Sequence, residues 1–348
     1  MHSRVAVLGG GSWGTALALH LAASGNQTSL WVHDPVLAQR MAATRENTRY
    51  LPGYPLPLNI RISSSLMESL KNADDVLIVV PSHHCRLVLT AARPFITGST
   101  RFCVASKGIE TDTLMSVSAI LGDVLGAETA RRTSVLSGPS FAQEVAGGHP
   151  TAVVIGTPEP ELGAHLQRLF SARNLRAYTN DDLIGVELGG ALKNIIAIGA
   201  GVVDGLGYGA NTQAALITRG LAEISRLAIV LGGRRDTLAG LAGLGDLVLT
   251  CTGRLSRNRA LGVALASGVT LAEHQAGTPA VAEGVRTTRA AWLLARGKSV
   301  EMPITSEVHA LLYEAKPPAE AIKDLLARQL TAERDEEGSG STAGGGGH

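Results

Sequence analysis

Near the amino terminus, Gly9-Gly10-Gly11-Ser12-Trp13-Gly14 places glycines at 9, 11 and 14. This Gly-x-Gly-x-x-Gly spacing follows an apolar run at 5–8 and opens an Ala/Leu-rich stretch at 15–23. In that setting Gly9 makes a tight turn, Gly11 admits a pyrophosphate against the backbone, and Gly14 lets helix and strand pack closely. The helix start then offers free N–H groups and a positive dipole end to phosphate. The motif in this context predicts dinucleotide binding. Asp34, 20 positions after Gly14, stands where a carboxylate receives a ribose 2′-OH and favours NAD. Neighbouring His33, Arg40 and Arg45 suit a 2′-phosphate instead, and Asp34 before Pro35 also reads as a helix cap. The choice between NAD and NADP stays open at this point.

A second group of residues suits proton and phosphate chemistry. Lys193-Asn194 interrupts an otherwise small and apolar stretch. A lysine buried there would have a lowered pKa and could serve as general acid or base near neutral pH. Asp246, in Gly243-Leu244-Gly245-Asp246-Leu247, is a carboxylate that could hold and orient that ammonium. Lys107 follows an apolar strand, where open α/β sheets bind ligands, and Ser137-Gly138-Pro139-Ser140 forms a second strand-to-helix turn with donors to offer an anion. Arg254-Leu255-Ser256-Arg257-Asn258-Arg259 can fork onto a phosphate. His83-His84-Cys85 lacks partners at ligand spacing, so no metal site is expected.

These residues need elements to hold them. Short β-rich runs occur at 5–8, 28–32, 76–80, 101–105, 134–136, 152–155 and 175–178, mostly separated by helix-length segments. Continuously apolar runs such as Val76-Leu77-Ile78-Val79-Val80 suit strands buried on both faces. The expectation is an α/β Rossmann domain with a doubly wound, mainly parallel sheet over residues 1–180. An all-helical substrate and catalytic domain is expected over 181–330. There Ile217, Leu221, Ile224, Ala228 and Leu231 recur at helical spacing before Gly232-Gly233, and a later helix should start near Pro318 with Ile322, Leu325, Leu326 and Leu330 on its buried side. Residues 331–348 read as a disordered Gly/Ser-rich tail.

Composition narrows the function classes. The 348 residues carry 31 Lys plus Arg against 30 Asp plus Glu, a net charge of +1. That gives no electrostatic case for nucleic acid or an anionic membrane as main partner. Aromatics are only 3%, too few for a base-stacking surface, and 45% hydrophobic residues exclude a wholly disordered chain. Three scattered cysteines are no disulfide framework and fit a reducing compartment. The longest apolar run, 195–203, is half a membrane span. A cytoplasmic protein is expected.

Taken together, the motifs resemble the bacterial NAD(P)-dependent glycerol-3-phosphate dehydrogenase family. The matching blocks include Val7-Leu8-Gly9-Gly10-Gly11-Ser12-Trp13-Gly14, Asn47-Thr48-Arg49-Tyr50-Leu51-Pro52-Gly53, Ala105-Ser106-Lys107-Gly108, Ser137-Gly138-Pro139-Ser140-Phe141-Ala142, Lys193-Asn194, Gly243-Leu244-Gly245-Asp246, Ser256-Arg257-Asn258-Arg259 and Val281-Ala282-Glu283-Gly284, in order over about residues 5–330. The resemblance implies that Ser12, Trp13, His33, Tyr50, Ala142, Val281 and Glu283 contact NAD(P)H. Lys107 would touch cofactor and substrate, and so would Arg257. Gly138, Ser140, Asp246, Ser256 and Asn258 would hold the substrate, and Lys193 would be the proton donor and acceptor. It also implies reduction of dihydroxyacetone phosphate to sn-glycerol 3-phosphate for glycerophospholipid synthesis, and leaves a homodimer open. Two rival readings are a two-domain β-hydroxyacid dehydrogenase and a non-enzymatic dinucleotide sensor. The first usually spaces its Lys and Asn one helical turn apart; here they are adjacent.

Overall fold

The computed structural model describes residues 3–277 and 282–328. Ten strands occur among the described residues: β1 (Arg4–Leu8), β2 (Gln27–Trp31), β3 (Glu46–Asn47), β4 (Leu51–Pro55), β5 (Ile60–Ser63), β6 (Asp75–Ile78), β7 (Arg101–Val104), β8 (Thr133–Ser137), β9 (Thr151–Gly156) and β10 (Leu175–Asn180). Eight of them form one sheet in the order β10-β9-β8-β7-β6-β1-β2-β5. Neighbours run parallel except β8 and β9, which are antiparallel. β1 lies between β2 and β6, so the chain changes direction of travel across the sheet beside it. Such a switch point opens a crevice at the carboxyl ends of the strands.

Both faces of the sheet are covered, which is why inner strands such as β1 and β6 carry unbroken apolar runs. Val5, Val7, Leu30 and Leu77 pack into one core with Leu17, Leu21 and Phe170. Ala6, Leu8, Val76 and Ile78 alternate to the other face and pack with Leu89, Phe102 and Leu121. All seven expected strands are present. β5 and the β3–β4 hairpin were not expected: β5 is a four-residue edge strand, Ile-Arg-Ile-Ser, too short to show a period.

After β10 the described residues hold only helices. The central one, Leu183–Gly205, starts at Asp182, whose carboxylate accepts from Gly185 N at 2.8 Å. Its residues 185–203 are all buried. It is long and apolar enough to cross a membrane, but that apolar stretch lies wholly inside the protein. Leu192, Ile195, Ile196 and Ile198 anchor a third core, in the helical half; each such side chain contributes about 1.5–3 kcal/mol on full burial. The Ala210–Val230 helix buries Leu216, Ile224, Leu227 and Ala228 before Gly232 turns the chain at φ +98°. In the Pro318–Leu326 helix Ile322 is buried and Leu325 partly so, but Leu326 is 80% exposed, against expectation: the helix ends there, and none of the described residues covers that side. Leu330 and the 331–348 segment lie outside the described residues, as does Val281.

Candidate active site

Strand β1 delivers the chain into Gly9, held at φ +133°. A Cβ on Gly9 would stand 2.7 Å from the Val79 carbonyl, and one on Gly14 only 1.9 Å from the Gly9 carbonyl. Gly11, by contrast, faces open space, with none of the described residues within 4 Å of where its Cβ would be. The turn is therefore closed where it must pack and open where a ligand must approach. The Ser12–Ala23 helix begins at Gly11 without any side-chain cap, leaving its first N–H groups free. The Trp13 indole N–H is buried without a partner among the described residues. These features fit a dinucleotide pyrophosphate. Asn47 locks the turn from behind: its buried amide donates to the Gly10 carbonyl at 2.9 Å and to Thr15 Oγ1 at 2.8 Å. Its sequence block carried no hint of that role, because its partners lie 37 and 32 positions away.

The turn opens into a cleft of about 550 Å³. Gly9, Gly11, Ser12, Trp13, His33, Tyr50, Lys107, Ser140, Ala142, Lys193, Ser256, Arg257, Asn258 and Glu283 all line it. Thus residues from almost the whole length of the chain share one wall. Gly14, Gly138 and Asp246 stand behind that wall. Gly138, at φ +124°, turns the chain after β8, and its carbonyl accepts from Ser140 Oγ at 3.0 Å.

At the cleft floor two lysines meet one carboxylate. Lys193 Nζ donates to Asp246 Oδ1 and, at 2.7 Å, to Thr250 Oγ1. Lys107 Nζ donates to Asp246 Oδ2 at 2.6 Å and to the Gly138 carbonyl at 3.4 Å. Asp246 is 1% exposed and holds both ammoniums. Burial lowers the Lys193 pKa; Asp246 opposes this and Lys107 adds to it, and the result is about 8. Burial pushes the Asp246 carboxyl up, but the two lysines outweigh it and hold it below the ordinary range. A group with pKa near 8 can both give and take a proton close to neutrality. Thr250 was missed in the sequence: it reads as an ordinary helical threonine, 57 positions from Lys193.

The phosphate-binding candidates arrive through a close helix crossing. The Arg257–Ala266 helix packs on Leu183–Gly205 so tightly that a Cβ on Gly201 would lie 2.0 Å from the Arg259 carbonyl, and one on Gly262 2.0 Å from that of Ile198. Ser256 caps the first of these helices, its Oγ accepting from Arg259 N at 3.2 Å and keeping its own hydrogen to donate. Asn258 Nδ2 donates to Asn194 Oδ1 at 2.9 Å, and its Oδ1 accepts from Gly284 N at 3.0 Å, so a single amide hydrogen remains for a ligand. Arg257 is exposed in the cleft and forms no ion pair among the described residues. Burial pushes the Glu283 carboxyl up to about 7, against the pull of Arg257, Lys107 and Lys193.

At the cofactor-selecting end two side chains are already engaged with the backbone. Asp34 is the helix cap: Oδ1 accepts from Val36 N at 2.9 Å and Leu37 N at 3.2 Å. Arg45 is structural, donating to the carbonyls of Leu56 at 3.1 Å, Ile60 at 2.9 Å and Pro57. No group of metal-ligating side chains occurs among the described residues.

Comparison with known proteins agrees with this geometry. Residues 4–163 match the family NAD-dependent glycerol-3-phosphate dehydrogenase N-terminus, and residues 182–323 match the corresponding C-terminus. The chain is 50% identical over 334 residues to glycerol-3-phosphate dehydrogenase [NAD(P)+] of Geobacter metallireducens, covering 96% of this chain and 100% of that protein. A crystal structure of glycerol-3-phosphate dehydrogenase from Coxiella burnetii superposes with a TM-score of 0.90 at 43% identity, over 94% of this chain and 99% of that one. The enzyme from Saccharomyces cerevisiae gives 0.78 at 26% identity, over 94% and 100%. The chain belongs to the NAD-dependent glycerol-3-phosphate dehydrogenase family.

Proposed function

We propose that the cleft reversibly reduces dihydroxyacetone phosphate to sn-glycerol 3-phosphate, in the cytoplasm, in support of glycerophospholipid synthesis. One observation carries the reading: a buried Lys193–Asp246–Lys107 cluster shares a cleft with an open glycine turn and with Ser256, Arg257 and Asn258. When bound, NAD(P)H supplies the hydride that reaches the substrate C2. Gly9, Gly11, Ser12 and Trp13 would hold its pyrophosphate, with Ala142 and Glu283 beside it. Arg257 forks onto the substrate phosphate, and Ser256 and Asn258 each add one donor. Binding energy from that remote phosphate fixes the carbonyl near the lysines.

Lys193 gives its proton to the carbonyl oxygen as that oxygen becomes an alkoxide, and regains one from solvent. In the oxidative direction the neutral amine takes the hydroxyl proton. Asp246 remains ionised throughout; it orients Lys193 and keeps its pKa from falling further. Lys107 sits where its charge stabilises the developing oxyanion. In this division of labour residues 1–180 bind the nucleotide and 181–330 supply most of the catalytic groups.

The test is turnover of dihydroxyacetone phosphate, followed by oxidation of NADH and of NADPH. Substrate-dependent oxidation with weak activity on free dihydroxyacetone is the expected result. Tight nucleotide binding without turnover on any phosphorylated ketone would favour the sensor reading.

A further inference from the structure

We propose that Arg49 selects the cofactor that carries a phosphate on its adenosine 2′-oxygen, by leaving Asp34 and forking onto that phosphate. The proposal rests on the nucleotide reading of the cleft given above. Beyond β2 the cleft wall presents His33, Asp34, Arg49 and Tyr50. Asp34 is the one group there that would favour an unphosphorylated ribose and repel a phosphate. It is already engaged. Oδ1 is spent on the backbone of the following helix, and Oδ2 faces Arg49 Nη1 at 3.5 Å.

That ion pair is easily exchanged. It is long, and both side chains are nearly half exposed, 46% for Arg49 and 43% for Asp34. Exposed pairs of this kind are weak, and a phosphate dianion accepts a planar guanidinium fork better than one carboxylate oxygen does. The Tyr50 ring, 5.2 Å from the Arg49 guanidinium carbon, keeps the cation against the cleft wall instead of in bulk water. Two other arginines close by in the sequence are unsuitable. Arg45 is tied to three carbonyls, and Arg40 lies outside the wall. His33 is exposed beside the same spot and supplies a second donor. Arg49 and His33 thus form the two sides of an anion seat, with Asp34 holding Arg49 ready in the free protein.

The test uses the intact protein and titration calorimetry with two fragments, adenosine 2′,5′-bisphosphate and adenosine 5′-monophosphate, then NADP+ and NAD+. The unmodified protein should bind the bisphosphate more tightly than the monophosphate. Arg49→Gln should weaken the bisphosphate and NADP+ by about ten- to a hundred-fold, the scale of a lost charge-assisted hydrogen bond. The monophosphate and NAD+ should stay within about two-fold, since neither carries the 2′-phosphate that Arg49 is proposed to hold. Arg49→Lys should recover part of the loss, because it restores the charge but not the fork. If Arg49→Gln weakens both fragments equally, or neither, the proposal is wrong while the nucleotide reading stands. If the unmodified protein binds none of the four, both fall together.

Discussion

Asp246→Asn isolates the carboxylate that joins the two lysines. The cluster has two ammoniums and one carboxylate, so its net charge is +1; the substitution makes it +2 with no change in shape. Asp246 is 1% exposed and the Lys193 side chain 8%, so water screens the loss poorly. Removing one partner of such a buried pair costs about 3–5 kcal/mol; Lys107, at 17%, can turn partly to solvent, which places the expectation at the lower end. Lys193→Met gives the opposite balance, leaving one ammonium and one carboxylate, and should fold with stability equal to or above that of the unmodified protein.

Proton linkage sharpens the contrast. Lys193 titrates at about 8 in the folded protein, below its value of about 10.4 in an unfolded chain. Between those two pH values the unfolded chain binds more protons, so this group's contribution to stability rises with pH across that window. The rise should vanish in Lys193→Met. In Asp246→Asn, burial and Lys107 act on Lys193 unopposed, so its pKa should fall below about 8 and reductive turnover should decline at a lower pH. Urea unfolding across pH, together with pH profiles of kcat, measures both effects. If Asp246→Asn unfolds at the same urea concentration and keeps the same pH limb, the carboxylate does not hold the lysines and the account of the cluster is wrong.

Arg257→Ala should raise KM for dihydroxyacetone phosphate by about ten-fold or more, the loss of one charged contact, yet leave free dihydroxyacetone almost unaffected; an equal loss on both would return Arg257 to a solvated surface role. His33→Arg should shift kcat/KM further toward NADPH, since the fork is a better phosphate partner than an imidazole, and an unchanged NADPH-to-NADH ratio would show that position 33 does not see the 2′-group. Glu283 gains a negative charge as pH rises through about 7, so nucleotide affinity should weaken over that range, and Glu283→Gln should flatten the dependence; a calorimetric titration that is flat in the unmodified protein would refute this.

The parts of the fold that were legible in the sequence share one physical cause. Strands buried on both faces carry unbroken apolar runs, as Val76 to Val80 do, and the glycine turn carries its spacing on its surface. What was not legible depended on partners distant in the chain. Asn47 looks like any loop asparagine until Gly10 and Thr15 stand beside it. Thr250 becomes a site residue only because the Asp246–Thr252 helix faces Lys193. Asp34 fits two local rules at once, ribose contact and helix cap, and the backbone of residues 36 and 37 shows that the cap is made. Arg49 sat unremarked inside a matching block because its opportunity arises from what Asp34 is already doing.

The central claim is that Lys193 moves the proton. It is tested most directly by kcat for dihydroxyacetone phosphate reduction in Lys193→Met, at saturating cofactor, with nucleotide affinity measured on the same preparation. A general acid contributes about two to four decades, so kcat should fall by at least about a hundred-fold while the dissociation constant for NADP+ stays close to its original value. Turnover near that of the unmodified protein, with binding intact, would mean that Lys193 is a structural member of its helix and that the proton comes from elsewhere.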